Sequence, residues 1–422
     1  MCCAGGARRR SPFIASRVFR FAAARQPHPN FASSRAVACA SLSRLSICLA
    51  VKLAFCLFKY FRYGGLERDF LRIALLSQAR GHEITVFTQE WQGDSPAGFQ
   101  VHVLRLRRLT SHGRAAEFAD ACAHWLDQDQ FERVIGFNKM PGLDFYYAAD
   151  PCFQHRKRER FGVLYKLNPR YRTFVALEEA VFSRRSRTHI MLLSPSSQQI
   201  FTRYYHTQPE RFHVMPPNVA PDRIPPPNAA QIRAQFRHEF DVTTEHKLLL
   251  FIGSVYPVKG LDRALIAMAA LPSAVREKTR LIVLGEDDPR PYLAQARRLR
   301  LGSQVSILGG RDDVPRFLLG ADLLIHPARS EVTGTVLLEA LVSGLSVLTT
   351  EVCGFAHHVI QADAGRVAAS PFDQTEFNRL LAEMLTSDKH HAWRANALNY
   401  AHTTDLYSLP QKAVELIERG AR

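Results

Sequence analysis

Asp322-Leu323-Leu324-Ile325-His326-Pro327, followed after three residues by Glu331-Val332-Thr333-Gly334-Thr335-Val336-Leu337-Leu338-Glu339, is the stretch on which the fold turns. An apolar run, a short loop with one glycine and a resumed apolar run describe a strand feeding a helix. Gly334, Thr335 and Val336 read as the first helical turn. Its unpaired amides and positive end suit a diphosphate. Glu331 precedes the turn and can face a sugar, and Glu339, five residues past Gly334, can reach ribose hydroxyls. Two carboxylates flanking one anion-binding turn suit a neutral, hydroxyl-rich group at each end of an anion. A capped amphipathic helix with two solvated glutamates is the bland alternative.

The same strand–helix unit repeats in both directions. Upstream, the pattern predicts strands over Lys52–Phe58, Glu83–Gln89, Val101–Leu106, Phe131–Asn138 and His189–Ser194, with helices over Gly65–Arg80 and Arg114–Asp127. Downstream it predicts strands over Lys247–Gly253, Arg280–Gly285, Val305–Gly309 and Ser346–Thr350. Six prolines lie between Pro216 and Pro227, a density that no helix or central strand tolerates. The prolines mark a joint between two doubly wound α/β domains, over 51–220 and 221–390, with C-terminal helices over 391–422 packing back on the first domain. Ligands of such sheets bind at the carboxyl ends of the strands, so the loops Tyr63-Gly64-Gly65 and Gly253–Gly260 should face a shared cleft.

The chain has 422 residues and a formal net charge of +16, but the charge is local. Residues 1–50 carry eight Arg, no Lys and no acid, and Gln154–Arg187 carries ten basic residues against three acids. The remainder is close to neutral, which argues against a uniformly basic nucleic-acid binder. The acid-free leader resembles a transit peptide; a misplaced start, with the first codon at Val51, is the other reading. In either case disorder is expected there. No apolar run reaches the length of a membrane span. The eight Cys show no CxxC or Cys/His spacing, so zinc and redox motifs are unsupported and a reducing compartment fits.

Three further positions carry charge at strand ends. Lys59-Tyr60-Phe61-Arg62-Tyr63-Gly64-Gly65-Leu66-Glu67-Arg68-Asp69 joins a strand to a helix. Its paired glycines allow amides to approach a phosphate, or form an ordinary tight turn. It is not G-x-G-x-x-G, so a dinucleotide fingerprint is absent. Lys259 sits at a helix start, where a cation is unfavourable unless an anion joins it. Arg311 follows a strand and can lie over a base or phosphate. Asp127-Gln128-Asp129 spells D-x-D but ends an amphipathic helix, where a solvated helix end is the better reading. No metal is expected.

The Gly-Gly loop, Lys259-Gly260 and the Glu331-x7-Glu339 element together resemble retaining glycosyltransferases of family 4, with the GT-B fold of two Rossmann-like domains. Four strings are similar to the bacterial lipopolysaccharide core glucosyltransferases in particular. They are Phe55-Cys56-Leu57-Phe58-Lys59-Tyr60-Phe61, Gly64-Gly65-Leu66, Gly136-Phe137-Asn138-Lys139-Met140-Pro141-Gly142-Leu143-Asp144 and Val352-Cys353-Gly354-Phe355-Ala356-His357. The resemblance runs from about Lys52 to about Leu416. It implies UDP-glucose as donor, with no separate cofactor, and the first heptose of the lipopolysaccharide core as acceptor. It implies that Gly65 contacts the diphosphate, with Gly334, Thr335 and Val336, while Lys259 neutralises it. Arg311 would hold the nucleotide, Glu331 the glucose and Glu339 the ribose. Asp69 and Asp150 would line the acceptor side, so that Glu331, Asp69 and Asp150 form the catalytic set. Relatives carry a basic residue immediately before the lysine, where this chain has Val258. The missing phosphate contact would come from Arg263 or Arg223.

In the second basic segment Arg156, Lys157, Arg158, Arg160, Lys166, Arg170 and Arg172 interleave with aromatic residues. That pattern fits an anionic membrane surface or a nucleic acid, and a solvated helix face is the plain alternative. A lipid-linked acceptor favours the membrane, hence a peripheral protein on the cytoplasmic face of the inner membrane. Alternatives are a family 4 enzyme with another donor or acceptor, or a non-catalytic basic protein that binds membrane or nucleic acid.

Overall fold

The computed structural model describes residues 50–61, 64–158 and 163–420. The expectation of a disordered leader falls outside these residues except for Ala50, as do Arg62, Tyr63 and Arg160.

Two parallel sheets organise the described chain. The first has seven strands: β1 (Lys52–Cys56), β2 (Glu83–Thr88), β3 (Phe99–Val103), β4 (Arg133–Gly136), β5 (Phe145–Ala148), β6 (His189–Leu192) and β7 (Phe212–Val214). Their order is β3-β2-β1-β4-β5-β6-β7. The second has six strands: β8 (Lys247–Ile252), β9 (Thr279–Leu284), β10 (Val305–Ile307), β11 (Leu323–His326), β12 (Ser346–Thr350) and β13 (Gly365–Ala368). Their order is β10-β9-β8-β11-β12-β13. Every pairing in the two sheets is parallel. Strands β5, β7 and β13 are absent from the pattern-based expectation. All three are short, with four residues or fewer, and β13 contains both Gly365 and Arg366.

Helices cover both faces of each sheet, so alternate residues of one strand enter different cores. Ala54 and Cys56 pack on one side of β1, Leu53 and Phe55 on the other. In β8, Leu248 and Leu250 oppose Leu249 and Phe251. This two-sided burial is why these strands read as continuous apolar runs rather than alternating ones. In both sheets the order reverses beside the first strand, between β1 and β4 and between β8 and β11. A crevice opens at such a switch point, outside the carboxyl ends of the strands.

The segment expected to return as one piece to the first domain is divided. Helix His390–Thr403 sends Trp393, Ala397 and Ala401 into the cores of the second sheet. Helix Leu409–Arg419 packs Leu409, Ala413, Val414 and Ile417 with Phe70, Ile73 and Ala74 of helix Gly65–Ala79. The chain therefore crosses between the sheets twice, and the crossings are hydrogen-bonded to each other: Val219 N–H to the Leu406 carbonyl at 2.9 Å and Leu409 N–H to the Pro217 carbonyl at 3.4 Å. Among the described residues no helix is long and apolar enough to cross a membrane.

Candidate functional site

The carboxyl ends of β1, β8 and β11 meet around a cleft of about 630 Å³. Gly65, Asp69 and Asp150 line it from the first sheet, Arg223 from the joint, and Lys259, Arg311, Glu331, Gly334, Thr335, Val336 and Glu339 from the second. All eleven donor-side and acceptor-side residues expected from sequence thus share one cavity.

The second-sheet wall is built from two strand–helix turns locked together. Helix Thr335–Val342 begins at Gly334, which has φ 81° and no side-chain cap, so its first amides stay open to the cleft. A side chain at Gly334 would be strained by that φ. Gly260 plays the companion role between the turn Tyr256–Lys259 and helix Leu261–Ala269. Its φ is 79°, and a Cβ there would lie 2.1 Å from the Pro327 carbonyl oxygen. That close approach brings Lys259 against the loop after β11. Arg329 closes the lock: its N–H donates to the Val258 carbonyl at 2.8 Å, and its guanidinium grips Asp262 at 2.7 and 2.6 Å. The Val352–His357 string holds the same loop from behind, through a parallel bridge between Glu331 and Cys353 and a 2.8 Å bond from Phe355 N–H to the Thr333 carbonyl.

Lys259 Nζ donates to Glu331 Oε2, and His326 Nε2 lies 3.4 Å from the same oxygen. Burial pushes the Glu331 carboxyl up, but the His326 hydrogen bond and the Lys259 charge outweigh it and hold it at about 2. Glu339, nearly buried, faces two cations: Arg223 Nε at 3.4 Å and Arg68 Nη1 at 3.9 Å, the latter reaching across from the first half. Arg311 is gripped by Asp313 at 2.7 and 2.9 Å, with its guanidinium 5.3 Å from the centre of the Phe317 ring.

One expectation is corrected. Arg263 does not substitute for the basic residue missing at Val258. Its guanidinium donates to the carbonyls of Pro327 and Ala328, both at 3.3 Å, and lies 3.6 Å over the Phe372 ring. Arg223 and Arg68 do reach the cleft, beside Arg311. Asp69 lines the cleft as expected and is also braced there: one oxygen accepts from Tyr147 Oη, the other from Asn218 Nδ2. Arg72 holds Asn218 in turn at 2.9 Å, which ties helix Gly65–Ala79 to the joint. Asp150 is exposed to the cleft.

Sequence reading passed over His326, Arg68, Asn218 and Glu67. Glu67 is a buried first-turn residue whose carboxyl is pushed up to about 7, by burial first, against a bond from its own backbone N–H. Its place three residues after Gly64 was the available signal. The Gly136–Asp144 string supplies walls. Asn138 Oδ1 accepts from Phe58 N–H at 2.6 Å, and Lys139 Nζ reaches buried Glu178 at 2.6 Å. Asp129 of the D-x-D triplet ends its helix and pairs with Lys52 at 3.6 Å, both half exposed. Among the described residues no cluster of His, Cys, Asp and Glu is arranged to hold a metal ion.

The second half of the chain, residues 233–400, matches the family model of glycosyl transferases group 1, and residues 63–223 match that of Glycosyltransferase Family 4. The lipopolysaccharide glucosyltransferase WaaG of Escherichia coli (strain K12) is 44% identical over 369 residues, which is 87% of this chain and 99% of that protein. The chain belongs to the family 4 glycosyltransferases. The crystal structure of WaaG, described as a glycosyltransferase involved in lipopolysaccharide biosynthesis, superposes on this glycosyltransferase with a TM-score of 0.83, covering 86% of this chain and 99% of that one. The Anabaena protein Alr3699/HepE, solved with UDP and glucose, is 18% identical with a TM-score of 0.67, covering 87% of this chain and 100% of its own. That likeness shows the fold alone. The glycosyltransferase thus has the GT-B architecture, with its lined cleft at the switch points of both sheets.

Proposed function

We propose that this glycosyltransferase moves glucose, with retention, from UDP-glucose to the first heptose of the lipopolysaccharide inner core. The observation that carries the reading is the convergence, in one cleft, of an uncapped helix start, Lys259 and the carboxylates Glu331 and Glu339, in a chain 44% identical to WaaG. The amides at Gly334–Val336 and the Lys259 ammonium bind the diphosphate and stabilise the charge that grows as UDP departs. Glu331 receives the glucose hydroxyls and Glu339 the ribose, while Arg223 and Arg68 add positive charge beside them. The acceptor hydroxyl attacks C1 from the face that UDP leaves. The C1–O bond to phosphate breaks as the new glycosidic bond forms, and the hydroxyl proton passes to the departing phosphate. Released UDP, measured with a panel of UDP-sugars and heptosylated lipid, tests this. UDP-glucose should lead the panel; a clear preference for another sugar overturns the donor assignment.

Turnover is expected without a divalent metal, because the helix-start amides and Lys259 supply the charge a metal would. Addition of EDTA checks this: abolished turnover restored by manganese or magnesium rejects it.

The enzyme also docks, on this reading, against the inner leaflet through its second basic segment. Lys166, Arg170 and Arg172 are exposed, as is Leu167, and Arg170 lies 5.6 Å from the Phe174 ring centre. Arg156, Lys157 and Arg158 fall on helix Phe153–Arg158. Each basic residue near an anionic leaflet contributes about 1 kcal/mol. Replacing Arg156, Lys157, Arg158 and Arg160 by Gln should therefore cut co-sedimentation with anionic vesicles while UDP binding persists. Equal binding to neutral and anionic vesicles would reduce the segment to a solvated face.

A further inference from the structure

His326 closes β11 with 1% of its surface exposed. Its Nε2 shares Glu331 Oε2 with Lys259. The groups facing it are few. Cys353, buried beneath the loop, and Glu331 contact the ring, Lys259 acts through Glu331, and the Phe251 ring centre stands 6.1 Å away. Thr349 Oγ1 donates to its backbone carbonyl at 3.0 Å, so the strand end is fixed as well. Burial alone would lower the imidazole, but contacts with Cys353 and Glu331 reverse that and hold it at about 9.

One buried carboxylate therefore has two cationic partners, and only one of them has a second task. On the donor-site reading above, on which this inference rests, a diphosphate in the cleft draws the Lys259 ammonium to itself. An unpaired buried carboxylate is costly, so Glu331 would compete with the diphosphate for Lys259 unless another cation held it. We propose that His326 is a positioning residue that keeps Glu331 compensated and in place, and so releases Lys259 to the diphosphate.

UDP carries the diphosphate without the sugar, so calorimetric titration with UDP isolates this handover from sugar recognition. At pH 7.5, His326→Gln should bind UDP about tenfold more weakly, the scale of one charged hydrogen bond. Adding Glu331→Gln to that variant removes the competing charge and should restore much of the affinity. Wild-type affinity should fall as pH rises through about 9, where the imidazolium loses its proton, and His326→Gln should lack that step. Unchanged binding by His326→Gln, a loss that persists in the double variant, or coincident pH curves would each overturn the inference. A packing role alone predicts no rescue. Thermal melting verifies folding, and His326→Asn is the second variant; should both unfold, the wild-type pH curve decides. A wild-type protein that binds no UDP at all removes the donor-site reading itself, a result distinct from failure of the handover.

Discussion

Lys259→Ala is expected to weaken UDP binding and low-donor turnover about ten- to a hundredfold, the equivalent of about 1.5–3 kcal/mol for a charge-assisted hydrogen bond. The lysine ends the turn Tyr256–Lys259, directly before helix Leu261–Ala269. A cation at that position opposes the helix dipole, and the fold tolerates it because Glu331 lies against it. The alanine variant removes the mobile positive charge of the donor wall while leaving Glu331 in contact with His326. The fold should therefore survive and affinity should not. UDP titration and initial rates well below donor saturation measure the effect. Near-wild-type values in both would remove Lys259 from the donor site.

Lys139→Met should cost about 3 kcal/mol of stability, the low end for breaking a buried ion pair from one side. Glu178 is fully buried and accepts from Lys139 Nζ at 2.6 Å, Tyr205 Oη at 2.6 Å, Phe153 N–H at 2.9 Å and Gln154 N–H at 3.1 Å. Burial pushes its carboxyl up, but the Lys139 charge, with the hydrogen bonds, holds it below the usual carboxylate range. A depressed carboxyl contributes stability above its unfolded value, about 4.3, and that contribution fades as pH falls through the folded value. Without Lys139 the burial effect dominates and the carboxyl rises. The deficit should then be largest at neutral pH and shrink toward about pH 5, as Glu178 takes up a proton. Lys139 also donates to the Pro151 carbonyl at 2.9 Å, so the variant loosens the chain next to Asp150 as well. Melting curves across pH test both points. A deficit that does not change with pH would mean that lost packing, not the uncompensated charge, is responsible.

What was legible in the sequence was whatever lies within one structural unit. Apolar runs buried on both faces announce parallel strands, six prolines within twelve residues announce a joint, and Glu331, Gly334 and Glu339 span a single strand–helix turn. Local spacing determines those features, because backbone geometry converts sequence separation directly into position. The tertiary structure decided the partners. Lys259 and Glu331 are 72 residues apart, and Asp69 and Asn218 are 149 apart; no periodicity links such pairs. His326 ends an apolar strand and reads as core until the fold sets Glu331 beside its ring. Arg263 and Arg223 were equal candidates in the sequence. A phenyl ring and two backbone carbonyls turn the first aside, while the chain crossing lays the second along the cleft. Hydrophobic pattern reports whether a residue is buried. Which charge it meets there depends on distances that exist only after the two sheets have packed.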